Sequence, residues 1–415
     1  MDRIKIATSG ESHGPALIGI IEGIPSNMQI DSEHINNELK RRQKGYGRGP
    51  RMKIESDIAE IISGVRWGKT LGSPIALKIE NKDWKNWNKG MSQSDNDKDS
   101  IPPITRPRPG HADLSGALKY NFKDIRNVLE RSSARETAMR VALGAICKKF
   151  LSLFDIFIGS YVVNIGGVEC TINYKELYKE HDISSHNEYN KPKIETKLKK
   201  FALKADDSPV RCIQENISEQ MIVKIDDAKQ RGDTIGGIFE VFAIGVPPGL
   251  GSYVQWDKKI NGKITQAIMS IQAVKAIEIG HGFDFALTYG SKVLDQIYYN
   301  SNVLDEYQCG YHRLTNYAGG IEGGMTNGMP ILIRAVMKPI PTLRKPLKSV
   351  DIISKQEIEA VYERSDVCAV PACSIIAEAM LAFVICNELL LKFSGDCIEE
   401  TIRNYQSYMN HLKQL

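Results

Sequence analysis

The sequence has few of the features that would take it out of the ordinary run of globular proteins. No stretch of about 18 apolar residues is evident that would span a bilayer. The N-terminus, Met1-Asp2-Arg3-Ile4-Lys5-Ile6, has no apolar core of the signal-peptide kind before Gly10 to Gly14 interrupts it. Both absences predict a cytoplasmic location and no membrane partner. The eight cysteines are scattered, and the closest pair, Cys368 and Cys373, has four residues between. That spacing fits neither a zinc ribbon nor a thioredoxin-type site, so they are read as reduced core residues. Only His181 and His186 approach metal-ligand spacing, in a very polar stretch, and no metal site is expected. The net charge of +4 is too small for a broad polyanion-binding face, which argues against a nucleic-acid partner. Hydrophobic residues make up 42% of the chain, enough for a substantial core, while 415 residues leave the domain count open.

Periodicity and punctuation give a coarse map. Short apolar runs such as Ala16 to Ile21, separated by Gly and Pro, predict strands joined by turns. A helix is expected from Ser32 to Gln43, opened by Asp31 or Ser32 and ended before Gly45. Trp84 to Pro109 turns polar and then proline-rich, which predicts an irregular loop of the length often found in lids. The clearest helix is expected to start at Ser133, where Ser133 and Glu136 have capping-box spacing ahead of Met139, Ala142, Leu143, Ile146 and Phe150. Cys170 to Asp207 reads as a solvated insertion with one helix. Gly236 to Val246 and Ile331 to Met337 alternate like strands, and Ile375 to Leu391 has the apolar content of a buried helix.

Two glycine patterns are decoys. Gly45, Gly47 and Gly49 follow a charged helix and complete no dinucleotide fingerprint, while Gly68-Lys69-Thr70 lacks the first P-loop glycine, since position 63 is Ser63. Other segments offer chemistry. Gly10-Glu11-Ser12-His13-Gly14 places an imidazole on a turn of minimal bulk, although a solvent-facing histidine reads the same way. Arg108-Pro109-Gly110-His111-Ala112-Asp113 repeats that theme on a rigid turn. Arg131-Ser132-Ser133-Ala134-Arg135-Glu136-Thr137 gathers two hydroxyls, two guanidiniums and the positive end of the expected helix, a suitable anion seat, or else an ordinary capped helix. Arg41, Arg42, Arg48 and Arg51 form a second basic cluster, for which a solvated charge run is the plain alternative. Lys338-Pro339-Ile340-Pro341-Thr342 ends a strand with an extended backbone, and Arg364-Ser365-Asp366 pairs a cation with an acid.

In this order and spacing, together with Gly245 to Gly251, Met269 to Gly282 and Ala318 to Gly328, the segments resemble the chorismate synthase family over nearly the whole chain. The resemblance implies an α/β fold, a single-domain layered β-α-β sandwich over residues 1–415 with a polar loop at 84–109 and a polar insertion at 170–207. It implies a homotetramer that binds reduced FMN beside 5-enolpyruvylshikimate 3-phosphate. The reaction implied is a 1,4-anti elimination of phosphate that gives chorismate with no net redox change, on the shikimate route to aromatic amino acids. Carried over to matching positions, His13 is implied as the acid for the leaving phosphate, His111 as the group that protonates or stabilises the reduced flavin, and Asp366 as an aid to flavin N5 in accepting the C6 hydrogen. Flavin contacts fall on Arg131, Ser132, Ser133, Gln272, Ala273, Gly323, Lys338, Pro339, Ile340, Pro341, Thr342 and Arg364, and contacts to the substrate's anions on Arg42, Arg48, Arg108 and Arg135. His281 departs from the family, where an acid is more usual. NADPH-dependent flavin reduction, alone or in addition, is the alternative activity; the missing dinucleotide fingerprint counts against it. A noncatalytic phosphate-ligand or nucleic-acid binder is the other alternative, and for nucleic acid it predicts steep salt dependence.

Overall fold

The computed structural model describes residues 2–49, 56–179, 191–300, 310–363 and 365–414. Strands Lys5–Ser9 (β1) and Ala16–Glu22 (β2) pair antiparallel across the Gly10 to Gly14 turn. Helix Ser32–Gln43 (α1) covers the expected residues, and Asp31 caps it by accepting a hydrogen bond from His34 N at 2.7 Å. Ala59–Ser63 (β3) and Ile75–Glu80 (β4) complete a four-stranded antiparallel sheet in the order β1-β2-β4-β3. Its strands alternate as half-buried strands do: Leu17, Ile21, Leu77 and Ile79 point inward, whereas Ile18 and Ile20 face out.

Helices Asp113–Tyr120 (α2), Arg126–Ser132 (α3) and Thr137–Ser152 (α4) lead to a second sheet. It contains Phe157–Ile165 (β5) and Val168–Glu169 (β6), then, after helix Lys191–Asp207 (α5), strand Gly237–Ile244 (β7). Helix Ile260–Met269 (α6), Val274–Ile279 (β8), Ile331–Met337 (β9) and helix Val370–Phe393 (α7) follow. The strand order is β8-β9-β7-β5-β6, all antiparallel. β7 is apolar along nearly its whole length because it lies in a sheet packed on both faces, with α7 on the inner side and α5 on the outer.

The layers follow from these contacts. α4 lies on the first sheet, α7 on the second, and the two helices pack on each other with α1 alongside, which makes a β-α-β sandwich. Their close crossing depends on one glycine, since a Cβ on Gly144 would collide with the Cβ of Ala379. One hydrophobic cluster runs through both sheets and the helices between, and a small satellite of Ile104, Ala117, Ile125 and Leu129 lies under the polar loop.

Several expectations are corrected here. α7 is 24 residues long and, by length and composition, apolar enough to cross a membrane, contrary to the reading that no such run exists; 94% of its most apolar window is buried inside the protein. It is the central core helix, longer than expected because Pro371 in its first turn needs no hydrogen-bond donor there. The expected helix at Ser133 begins instead as a short 3₁₀ turn, Ala134–Glu136, before α4 proper. Ser133 does cap that turn, accepting from Arg135 N, but Glu136 does not reach back to complete a box and reaches Gln272 and Arg140 instead. Arg131 and Ser132 also close the preceding helix α3, so they stand between its negative end and the start of the helical segment at Ala134. Among its described residues the 170–207 insertion holds two helices, Tyr174–Lys179 and α5, and these bury Tyr174, Leu177, Tyr178, Ile194 and Leu198 in the core, so this part is less solvated than expected. Trp84 to Pro109 is irregular as expected, apart from 3₁₀ turns at Lys82–Asn86 and Asp95–Asp97.

Candidate active site

β1 delivers the chain to the Gly10 to Gly14 turn, and α3 meets that turn from below. Both oxygens of Glu130 hold His13: Oε1 lies 2.8 Å from its Nδ1, and Oε2 accepts from its backbone N at 2.7 Å. Trp87, from the polar loop, stacks on the imidazole with ring centroids 4.3 Å apart. The Ser12 and Ser133 hydroxyls share a hydrogen bond of 3.1 Å, which joins the turn to the start of the α4 segment.

From there the cluster continues through buried arginines. Arg135 binds Asp57 and donates from Nε to Asn81 Oδ1 at 2.9 Å, and Asn81 in turn donates to Gly14 O at 2.8 Å. Asp57 is shared with Arg42 at 3.4 Å, while Arg42 also donates to Thr137 Oγ1 and Ala134 O. Arg48 donates to Arg42 O at 3.4 Å and pairs with Asp366 at 2.9 Å, and Asp366 also accepts from Gly49 N at 2.6 Å. Among the described residues, the three guanidiniums of Arg42, Arg48 and Arg135 thus meet two carboxylates, Asp57 and Asp366. Burial lowers Arg42 to about 10, even against the pull of Asp57. An additional anion would relieve that cost.

His111 joins by the opposite end. Ser365, next to Asp366, donates to Thr342 O at 3.1 Å, and Thr342 Oγ1 accepts from Arg108 Nη1 at 2.9 Å. Arg108 and His111 Nδ1 both bind Asp113, the former at 2.8 Å. Burial would raise Asp113, but hydrogen bonds from His111 and Arg108 outweigh it and bring it to about 2. His13, the arginines, Asp366 and His111 are therefore linked by polar contacts joined through short backbone steps at His13–Gly14, Arg42, Thr342 and Ser365–Asp366.

Most residues expected at the flavin lie beside this chain. Lys338 N donates to Ala273 O at 2.9 Å, Lys338 Nζ binds Gly110 O, and Gln272 donates to Glu136 at 2.7 Å, so the 272–273 and 338–342 segments flank both the His111 turn and the 131–137 segment. Ala273 holds a positive φ of 67°. Ser132 Oγ and Gln272 Oε1 are buried with no hydrogen-bond partner among the described residues. An orphaned buried polar atom costs about 1–3 kcal/mol, so a ring bearing N–H and carbonyl groups fits there. Arg131 spends its guanidinium on Gly10 O, Thr8 O and Thr8 Oγ1 at the end of β1. Gly323 turns the Ile321–Glu322 and Met325–Thr326 hairpin, and no described hydrogen bond or ion pair ties it to the cluster. Arg364, Arg51, His181 and His186 lie outside the described residues. His281 donates its backbone N–H to Tyr317 O and packs against the Tyr317 ring, centroids 4.4 Å apart.

Sequence reading missed Glu130, Asp57, Asn81 and Trp87. Asking which acids would neutralise buried arginines would have raised Asp57 and Glu130 as candidates, but choosing between them needs the fold. Trp87 carried no signal of its own. It also lines a cavity of about 390 Å³ walled by Ile101, Pro103, Ile104, Arg126 and Glu363, which touches the cluster through that ring.

A β-α-β sandwich that gathers the guanidiniums of Arg42, Arg48 and Arg135 around Asp57 and Asp366 defines a protein suited to a small polyanion. Residues 4–390 match the family model described as chorismate synthase. The chain is 53% identical to chorismate synthase of Aquifex aeolicus (strain VF5) over 410 residues, covering 99% of this chain and 98% of that one. It is 51% identical to the enzyme of Geotalea uraniireducens (strain Rf4) over 412 residues, covering 99% of each. A crystal structure of chorismate synthase superposes with a TM-score of 0.76 at 44% identity, covering 99% of both chains. The chain belongs to the chorismate synthase family. It is a carbon–oxygen lyase that removes phosphate from 5-enolpyruvylshikimate 3-phosphate to give chorismate.

Proposed function

We propose that the elimination proceeds in the 1,4-anti sense with reduced FMN bound against Ser132, Ser133, Gln272, Ala273 and the 338–342 segment. The single observation that carries this reading is the linkage of His13, Arg135, Arg42, Arg48, Asp366 and His111 through polar contacts and short backbone steps. When bound, reduced FMN supplies the electron density that lets phosphate leave without net oxidation or reduction.

The protein's share is electrostatics and proton management. Arg42, Arg48, Arg108 and Arg135 are assigned to the phosphate and the two carboxylates of the substrate, for which guanidinium forks are suited. Their present partners, Asp57, Asp113 and Asp366, hold the forks in place before substrate arrives, so little ordering cost is left to binding. His13 gives a proton to the departing phosphate, a task suited to an imidazole near neutral pH. His111, oriented by Asp113, holds a proton at the flavin's reduced edge, and Asp366 assists loss of the C6 hydrogen. Arg131, Gly323 and Arg364 are assigned to the flavin by family resemblance alone.

A single domain over residues 1–415 is part of the reading, supported by the hydrophobic cluster shared between both sheets. A cytoplasmic homotetramer completes it, and the outward-facing Ile18 and Ile20, 38% and 43% exposed, support association through the first sheet. NADPH as reductant is a second activity to be tested by bleaching of FMN.

The test is an anaerobic assay with dithionite-reduced FMN and 5-enolpyruvylshikimate 3-phosphate, following phosphate release and chorismate absorbance. Turnover with reduced FMN and none with oxidised FMN is expected. Equal turnover with either form would remove the cofactor from the reading.

A further inference from the structure

We infer that Glu130 is a positioning residue for His13: it fixes the ring proton on Nδ1, so that the acid function operates through Nε2. The inference rests on the reading of His13 just given.

Glu130 grips His13 twice, at the ring and at the main chain, with contacts of 2.8 and 2.7 Å from the two oxygens of one carboxylate. An ionised carboxylate only accepts, so the imidazole nitrogen facing it must carry the hydrogen. The Glu130 side chain is 2% exposed, which leaves water little access to compete for that bond. α3 sets Arg126 one turn before Glu130, and its Nη1 lies 3.7 Å from Oε1. The same guanidinium lies over the Trp87 ring at 4.9 Å, while Trp87 covers the His13 face. Edge and face of the imidazole are thus held by two side chains that Arg126 ties together.

The proton balance is simple. The doubly protonated ring gives its Nε2 proton to a phosphate oxygen as the carbon–oxygen bond breaks, and it is left neutral with the hydrogen still on Nδ1. A ring free to rotate would present the wrong nitrogen for part of the time. The competing role for the Glu130 carboxylate is a brace for the turn, because its Oε2 also accepts from His13 backbone N at 2.7 Å.

The assay described above, run on Glu130→Gln, His13→Ala and the double variant, separates these roles. Glu130→Gln is expected to lower kcat about 10- to 100-fold. KM for the substrate should stay within about twofold, and adding Glu130→Gln to His13→Ala should change kcat by less than about twofold. An unchanged kcat in Glu130→Gln, or an equal loss with and without His13, would overturn the inference and leave only the brace. Full turnover in His13→Ala would instead overturn the acid reading. The tautomer has its own readout: ¹⁵N spectra of the histidine-labelled native enzyme, assigned by loss of the His13 signals in His13→Asn, should show a protonated Nδ1. A neutral ring with its hydrogen on Nε2 would refute the inference, and that measurement does not depend on Glu130→Gln folding.

Discussion

Arg41 and Arg42 are consecutive on α1, yet they belong to opposite kinds of charge cluster. Arg41 turns into the helix layer, where it binds Glu378 at 2.7 Å, Asp206 at 2.9 Å and Glu38 at 2.9 Å. Lys148 and Arg211 approach the same Glu378 at 2.8 and 3.6 Å, and Ser160 donates to it at 2.6 Å. Among the described residues the three cations there meet three carboxylates. Burial alone would raise Glu378, but Arg41 and Lys148 hold it far below the ordinary carboxylate range. Arg42, one residue on, enters the cluster where cations outnumber acids among the described residues. Balance makes the first cluster a tie between helices and strand, complete without a ligand. The second holds the arginines assigned to the substrate's anions, and the contrast between the two clusters can be tested.

The largest effect that would sharpen this contrast is on stability. Removing one member of a buried ion network leaves its partners uncompensated, so Glu378→Ala should lose about 3–5 kcal/mol in urea unfolding, with substrate KM of the folded fraction unchanged. A variant of native stability with weakened substrate binding would erase the distinction. Arg48→Ala tests the other side. Loss of one charged hydrogen bond, about 1.5–3 kcal/mol, should raise the apparent substrate KM roughly 10- to 150-fold, with a smaller loss of stability than Glu378→Ala because Asp366, its partner, keeps some access to water; an unaltered KM would count against the assignment. The smallest expected effect concerns Asp113, the shared partner of Arg108 and His111. Its carboxyl is depressed in the folded state, to about 2, so its stabilising contribution is present above its unfolded value and is lost as pH falls toward 2. Asp113→Asn should therefore flatten the fall in Tm between pH 4 and pH 2, and an unchanged slope there would show that the contact carries no linkage.

Much of the framework was legible because local rules and tertiary packing agree. Asp31 and the pattern through Leu39 define α1 at both ends, and β9 spans the residues its alternation predicts. Where tertiary contacts override local signals, reading along the chain fails. Ser133 and Glu136 have the spacing of a capping box, but Gln272, 136 residues further on, competes for the Glu136 carboxylate. Lysines and asparagines made 170–207 look solvated because the apolar stripe of Ile194, Leu198, Ala202 and Ala205 is only one face of α5. The four clustered arginines could not be sorted from sequence. Arg41 and Arg42 differ by a rotation of about 100° on a helix, and only the fold shows what each direction holds. Motifs single out His13, His111 and Asp366, whereas Glu130, which holds His13, and Asp57, which pairs with Arg42 and Arg135, are acids among many.

The apolar length of α7 bears on how the molecule is assembled. Every strand of both sheets precedes residue 370, so the berth for this helix is made of chain synthesised before it. A lesion that delays either sheet therefore strands in water a 24-residue segment whose most apolar stretch has a mean hydropathy of 1.9. For such a chain the nearest refuge is a lipid surface, a chaperone or another stranded copy, and damage far from the chemistry would register as lost yield of protein before any change in turnover.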